Sequence, residues 1–198
     1  MKSKKVLSLI VVGLIIGVSY LLGVTFELPE NNRIFENAQI SAEIPDGWDM
    51  ARSYDDEIII EIFNENGIAN MSIDNSPYFI GASNAQTIEE FTAEELLNIR
   101  FDSILETTIE YPDMGWTNFE VNEPISSIEL NGLSAAEGSF TVYENILGEG
   151  EIVNRKIKRI IVVTNNDILN IVFASTNADT FDSEEKDFQK FLDSLIIK

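Results

Sequence analysis

Apolar residues near the C-terminus follow two different periods, one typical of strands and one typical of a helix. Residues 152–164 and 168–175 are rich in Ile, Val and Phe, which predicts two strands that are covered on both faces. An Asn-rich turn separates them, and residues 179–195 repeat apolar positions with a period near 3.6. The repeated positions are Phe181, Phe188, Phe191, Leu192 and Leu195. Asp182 and Glu185 have the spacing of a capping box, so this end of the chain predicts a sheet covered by a helix.

The first half of the soluble region alternates apolar and polar residues in short stretches. Residues 38–44 predict a half-buried strand, and Pro45-Asp46-Gly47-Trp48 predicts the turn that follows it. We expect Trp48 in the core, because its large ring buries much area. Residues 57–63 and 68–74 predict a hairpin, since an Asn-Gly step lies between the two apolar runs.

The centre of the chain predicts a helix that packs on the sheet. Thr87 with Glu90 and Thr92 with Glu95 both have the spacing of a capping box, so the helix begins near one of these threonines. Its sheet-facing stripe is predicted to comprise Leu97, Phe101, Ile104, Leu105 and Thr108. Glu residues crowd the first turns, where the helix macrodipole favours anions, and this explains them without a metal.

A second block of strands follows this helix. Residues 116–121, 125–130 and 133–143 predict strands, with an Asn-Gly turn before the last of them. The next strand carries the basic residues Arg155, Lys156, Lys158 and Arg159. Because successive side chains of a strand point to opposite faces, these residues do not form a single nucleic-acid or lipid-binding face. We expect them to neutralise neighbouring carboxylates.

The predicted elements define the fold class and the order of segments. Hairpin-linked strands with two helices predict an α+β fold, an antiparallel β-sheet flanked by helices and preceded by one N-terminal transmembrane helix. The expected order is a basic head at 1–5, a membrane segment at 6–26, a spacer at 27–37 and a soluble domain at 38–198. A chain of 198 residues has room for one domain with its own core.

The segment from Val6 to Phe26 contains no charged residue, and about 20 apolar residues suffice to cross a bilayer as a helix. A cleavable signal peptide is the competing interpretation. Its apolar region is usually shorter and ends in a small-x-small site, whereas this run is longer and no Ala-x-Ala follows it. We therefore expect an uncleaved anchor that contacts membrane lipid. The lysines before it predict a cytoplasmic N-terminus and an extracytoplasmic soluble domain in a single-pass protein of the cell membrane.

The composition narrows the possible chemistry. The chain has no Cys and no His, which excludes disulfides, thiolate nucleophiles, Cys/His zinc sites and Ser-His-Asp catalysis. The net charge is −21, and without the three lysines of the basic head it is −24. Because a domain with this much negative charge repels the phosphate backbone of nucleic acids, we expect no nucleic-acid partner. Solubility is a sufficient explanation for the negative charge. A dedicated cation site is the alternative interpretation.

Carboxylates are the remaining candidates for chemistry. Asp55, Asp56 and Glu57 are the densest candidates for a Ca²⁺ site, together with Asp179 and Asp182, but neither set has the spacing of an EF-hand loop. A hydrolase that uses two carboxylates is a further alternative. With 34 acidic residues some pair lies close by chance, so only a carboxyl with a raised pKa in a deep cleft would support it. We assign no catalytic residue and no cofactor from the sequence.

Several short motifs, in their order, resemble one family. They are Pro45-Asp46-Gly47-Trp48 after the first strand, Asn131-Gly132-Leu133 followed by Ala135, the strand that begins Arg159-Ile160-Ile161, the strand Ile171-Val172-Phe173-Ala174-Ser175, and the ending Leu192-Asp193-Ser194-Leu195. Residues 38–198 are thereby similar to the PsbP/Mog1-like domains. The resemblance implies an α/β/α sandwich and a non-enzymatic accessory role, commonly outside the cytoplasm. No metal ligand of the family can be matched here, so the metal handling of its photosystem-type members is not carried over.

The sequence predicts a membrane-anchored, extracytoplasmic, non-catalytic binding or scaffold domain that acts through protein–protein contacts. An envelope protein of unidentified nature is the expected partner, met through a loop such as residues 75–86. The alternatives are a Ca²⁺-binding domain and a carboxylate-dependent hydrolase.

Overall fold

The computed structural model describes residues 33–51, 58–75, 91–110, 116–145, 152–164, 167–176 and 180–198. The contacts within the chain separate Met1–Arg33 from Ile34–Lys198, and the second of these units contains every helix and strand discussed below.

The described elements alternate as strands, helix, strands and helix. The strands are β1 (Ile34–Glu36), β2 (Ile40–Glu43), β3 (Trp48–Met50), β4 (Ile58–Asn64), β5 (Ala69–Asp74), β6 (Trp116–Leu130), β7 (Leu133–Asn145), β8 (Ile152–Val163), β9 (Ile168–Ser175) and β10 (Ile196–Ile197). The helices are α1 (Ala93–Glu110), between β5 and β6, and α2 (Phe181–Ser194), between β9 and β10.

Within the described residues the strands form two antiparallel sheets. The large sheet has the order β3-β4-β5-β9-β8-β7-β6, and the small sheet has the order β1-β2-β10. Every strand pairing is antiparallel, and α1 and α2 flank the large sheet. This confirms the predicted α+β class with an antiparallel sheet covered by helices.

Each face of the large sheet has its own apolar core. Alternate residues of β9 show the division, because Leu169, Ile171 and Phe173 belong to the core beneath α2, whereas Ile168 and Ala174 belong to the core beneath α1. The small sheet adds to the core beneath α2, where Trp48 is also buried as predicted. We call the two sides of the sheet the α1 face and the α2 face.

Helix α1 begins at the second of the two predicted capping boxes. Thr92 N and Thr92 Oγ1 donate to Glu95 Oε2 at 2.8 and 2.9 Å, and Glu95 N donates to Thr92 Oγ1 at 3.2 Å. The two hydrogen bonds that Thr92 donates, first the one from its main-chain N–H and then the one from its hydroxyl, lower the pKa of the Glu95 carboxyl. Thr87, the other predicted start, lies outside the described residues.

The predicted stripe of α1 is correct except at Leu105. Leu97, Phe101, Ile104 and Thr108 are buried, but Leu105 is 38% exposed. Leu96 is buried instead, because the buried arc extends toward the other flank of the stripe.

Helix α2 buries all five of its predicted apolar positions, but its predicted capping box is wrong. The residue before the helix is Thr180, which makes no side-chain capping bond to the main chain. Asp182 is an exposed residue of the first turn, and Glu185 turns toward the sheet and binds Lys158. The spacing of a capping box was present by chance, because Glu185 serves a tertiary contact.

The two strands predicted over 116–130 are one continuous strand, β6. Pro124 lies within it, and the pairing with β7 shifts register in three places between Thr117 and Ser126. Proline is tolerated here because β6 is an edge strand, where one side of the ladder needs no donor. The Asn131-Gly132 turn then reverses the chain with φ angles of 55° and 77°, as in a type I′ hairpin.

Candidate functional site

The carboxylates that the sequence offered as metal candidates cannot be placed. Asp55, Asp56, Glu57 and Asp179 lie outside the described residues, and so does nearly all of the predicted contact loop at 75–86. In the ranges that the structure describes, no three carboxylates come together as they would around a metal ion. The predicted anchor from Val6 to Phe26 also lies outside them. Neither α1 nor α2 is long and apolar enough to span a bilayer.

The basic residues of β8 divide between the two faces of the sheet, as predicted. Lys158 lies on the α2 face, where its Nζ is 3.0 Å from Glu185 Oε1, 3.6 Å from Glu137 Oε2 and 3.8 Å from Glu123 Oε2. Burial alone would lower the pKa of Lys158, but the hydrogen bond to Glu185 and the three carboxylate charges raise it. The prediction that these residues neutralise carboxylates is confirmed for Lys158. Its neighbour Lys156 instead places Nζ 3.9 Å from the ring centroid of Phe181.

Arg159 points to the α1 face and is only 5% exposed. Its Nη1 donates to Asn170 Oδ1 at 3.2 Å, and Asn170 Nδ2 donates to Asp74 Oδ2 at 2.7 Å. These three side chains come from β8, β9 and β5, and Arg100 of α1 lies close enough to act on Arg159 and Asp74 by its charge. We call Asp74, Arg100, Arg159 and Asn170 the polar network.

Two arginines share the polar network with one carboxylate. Burial, followed by the like charge of Arg100, lowers the pKa of Arg159 to about 9, and Asp74 opposes that shift. Burial also lowers the pKa of Arg100, again against the effect of Asp74. Both arginines remain cationic at neutral pH. The network therefore holds cationic charge inside the α1 face, with Asp74 as its counter-charge among the described residues.

A shallow cavity of about 200 Å³ opens on the same face, beside the β4–β5 hairpin. Glu61 and Arg155 give it charges of opposite sign, and Phe63 and Ile68 give it an apolar wall. The side chains of Glu61, Phe63 and Arg155 are each half-buried, so the cavity opens to the surface. We call it the hairpin cavity.

Asn64 fixes the wall of the hairpin cavity. Its Oδ1 accepts from the main-chain N–H groups of Ile68 and Ala69 at 3.0 and 3.2 Å, which holds the turn. Its Nδ2 donates to Glu184 Oε1 at 3.1 Å. Glu184 lies in the first turn of α2 and is itself buried, so the hairpin is tied to the helix on the opposite face.

Comparison with known proteins identifies the fold. No family model and no curated protein sequence matches the chain. The solved structure of cyanobacterial PsbP (CyanoP) from Synechocystis is 13% identical and matches 83% of this chain and 91% of its own, with a TM-score of 0.53. The Ran-binding protein Mog1p of Saccharomyces cerevisiae is 13% identical and matches 84% of this chain and 95% of its own, with a TM-score of 0.51.

This is a PsbP/Mog1-like fold. The resemblance first drawn from short motifs is thereby confirmed at the level of architecture.

The polar network and the hairpin cavity of this PsbP/Mog1-like domain were not predicted from the sequence. Asp74 and Asn170 are 96 residues apart, and only the register of β5 against β9 brings them together. One signal was present, because Asn170 interrupts the apolar run of β9 and Asp74 ends that of β5. A polar residue within a fully covered strand requires a partner, and pairing these strands would have suggested one.

Proposed function

We propose that this chain is a non-catalytic accessory domain, held at the outer face of the membrane by Val6 to Phe26, that binds a protein partner through the hairpin cavity. The observation that carries the proposal is the size and lining of that cavity. Pockets for small molecules and cofactors usually enclose about 300–1,000 Å³. A shallow cavity of about 200 Å³ fits one side chain of a protein surface better than a whole substrate.

The chemistry of the cavity suits an anchoring contact. Phe63 and Ile68 offer apolar area, and Glu61 and Arg155 offer a charge of each sign at its margins. Aromatic and arginine side chains that become fully desolvated on binding contribute much of the energy of protein interfaces. Strand β4 holds Glu61 and Phe63, β8 holds Arg155, and the hydrogen bond to Asn64 Oδ1 fixes Ile68 in the β4–β5 turn, so the surface is pre-organised before a partner arrives.

The comparisons support a binding role without specifying one. The similarity to Mog1p shows a shared fold at 13% identity, and the description of Mog1p as Ran-binding makes protein recognition on this scaffold a reasonable proposal. The absence of Cys and His from the whole sequence also removes thiolate nucleophiles and the imidazole that most often serves as a general base.

Crosslinking in the native membrane tests the proposal. Three forms are compared: the full chain, a form that keeps residues 1–33 but lacks the soluble domain, and the full chain with Phe63→Ala and Arg155→Ala. We expect one or more adducts of defined mass with the full chain and none with the shortened form. The double variant should show about tenfold weaker recovery, as for the loss of interface anchors.

Asp182→Ala serves as the matched control, since Asp182 is exposed on α2 at the opposite side of the sheet. It should leave recovery unchanged. If the double variant yields as much crosslinked adduct as the unchanged full chain, the hairpin cavity is not the binding surface. Turnover of a substrate by the purified full chain would contradict the non-catalytic role. The anchor is tested separately, because protease added outside sealed, right-side-out vesicles should digest the domain only if it is extracytoplasmic.

A further inference from the structure

The opposite edge of the large sheet offers a second surface with different chemistry. Strand β6 ends the sheet, and no described strand pairs with its outer side. Its first half is irregular, because three register shifts and Pro124 interrupt the pairing with β7. Its last third, Ser126–Leu130, pairs regularly from Ser126↔Glu137 to Leu130↔Leu133. We call Ser126–Leu130 the edge segment.

The hairpin turn determines which main-chain groups of the edge segment face outward. In a two-residue hairpin the residues that flank the turn, here Leu130 and Leu133, form a hydrogen-bonded pair. Hydrogen-bonded and non-hydrogen-bonded pairs then alternate along an antiparallel ladder. Glu129 and Ser127 are therefore in non-hydrogen-bonded positions, and their N–H and C=O groups point away from β7. Because no strand of the described ranges pairs with these groups, they form a short edge at which another strand can pair.

The side chains around the edge segment are acidic. Strand β6 carries Glu120, Glu123 and Glu129, and α1 beside it carries Glu94, Glu95, Asp102, Glu106 and Glu110. Neither element has a lysine, and the arginine of α1, Arg100, is turned into the polar network. Ser127 Oγ donates to Glu94 Oε2 at 2.6 Å, which holds one of these carboxylates next to the edge segment. Lys158 reaches Glu123 from the other face at 3.8 Å.

The negative charge around the edge segment determines which kind of strand can bind there. A second copy of the chain, with a net charge of −21, would bring like charges together at the edge. An extended segment rich in Lys or Arg would instead place its side chains beside Glu129 and Glu94. Val121, which is 50% exposed on the same strand, adds apolar area near one end.

We propose that the edge segment binds an extended, basic stretch of a protein partner by strand addition. The inference goes beyond the proposed function, because it places a second contact surface at the end of the sheet away from the hairpin cavity. A domain with two such surfaces can bridge two proteins, or hold one protein at two points.

A synthetic peptide of eight residues that alternates Lys and Val is the probe. It is titrated into the full chain in neutral detergent, and binding is followed by hydrogen exchange. We expect protection of the amides of Ser127 and Glu129, whose N–H groups gain partners, and weaker binding as salt is raised. The same peptide with Glu in place of Lys should not bind.

Two substitutions at position 127 distinguish the contribution of the outward main-chain N–H group to peptide binding from that of the side chain. Ser127→Pro removes the outward N–H, and Ser127→Ala keeps it, while both remove the hydrogen bond to Glu94. An edge position tolerates proline, as Pro124 already shows. We expect binding of the Lys-Val peptide to weaken at least about tenfold in Ser127→Pro, through the lost hydrogen bond and the blocked edge, and to change little in Ser127→Ala.

Glu129→Lys provides a second variant that keeps the outward N–H and reverses the nearest charge. It should weaken binding of the Lys-Val peptide and admit the Glu-Val peptide. No binding of the Lys-Val peptide, or equal binding by the proline and alanine variants, would overturn the inference. The hairpin cavity is intact in all three variants, so the adducts expected from the proposed function persist in them and the two proposals fail separately.

Discussion

Lys158 and Arg159 are neighbours in the sequence, yet they occupy opposite environments. Lys158 points to the α2 face and meets three carboxylates, two from strands and one from a helix. Arg159 points to the α1 face, is almost fully buried, and makes its side-chain hydrogen bond to the neutral Asn170. The environment raises the pKa of one and lowers that of the other. One step along the strand therefore moves a cation from a site with three nearby carboxylates to a site where the effect of burial on its pKa exceeds that of Asp74.

The difference between these two environments indicates on which face the stability of the sheet depends more strongly on one side chain. Lys158 can lose one carboxylate and keep two. In the polar network, Arg100 and Arg159 both lie within the electrostatic reach of Asp74, which is 5% exposed and receives the hydrogen bond from Asn170. We therefore expect substitutions on the α1 face to have larger effects than matched substitutions on the α2 face.

Asp74→Ala is the strongest test of this comparison. It removes the carboxylate whose charge acts on the buried Arg159 and the half-buried Arg100, and removal of one partner from a buried charged group destabilises by about 3–5 kcal/mol. Glu123→Ala on the α2 face should lower the free energy of unfolding by less than about 1 kcal/mol, as for an exposed ion pair. Urea denaturation measures both, and equal losses would contradict the comparison.

The two faces can also be compared through packing, with Gly138→Ala on the α1 face and Ser139→Ala at the next residue of β7 on the α2 face. An added Cβ at Gly138 would lie 3.0 Å from Phe101 Cζ and 3.1 Å from Ile125 Cγ1, within the core beneath α1. We expect this overpacking to destabilise by about 1–3 kcal/mol. Ser139 is buried on the α2 face, and its Oγ has no hydrogen-bond partner in the described part of the chain. Its replacement by alanine should be neutral or slightly stabilising, and a loss at Ser139 as large as that at Gly138 would argue against the difference between the faces.

Lys158→Gln gives the smallest expected effect and a characteristic dependence on pH. Because the folded state raises the pKa of Lys158 above its usual value of 10.5, protonated Lys158 stabilises the folded state below pH 10.5. That contribution disappears as pH rises through the raised value. The difference in unfolding free energy between wild type and Lys158→Gln should be about 1 kcal/mol and constant at neutral pH, then shrink above pH 10.5. A difference that grows with pH would show that the carboxylates do not hold Lys158.

Local patterns predicted much of the fold. The strands β8 and β9 and helix α2 follow from their apolar periods, and the turns at Gly47 and Asn131-Gly132 follow from turn chemistry. Prolines and polar residues were harder to interpret, because their meaning depends on tertiary position. Two strands were predicted at 116–121 and 125–130, but the edge strand β6 continues through Pro124 between them. Glu185 was predicted to complete a capping box, but it binds Lys158. The polar network depends on strand register across 96 residues, which no local pattern encodes.

The most direct test of the binding role uses a photo-reactive amino acid at position 63 in the hairpin cavity, compared with one at position 182 on α2. Both are introduced singly into the full chain in its own membrane and activated by light. The account predicts adducts of defined mass from position 63 and none of that mass from position 182. The same adducts from both positions, or none from position 63, would contradict it.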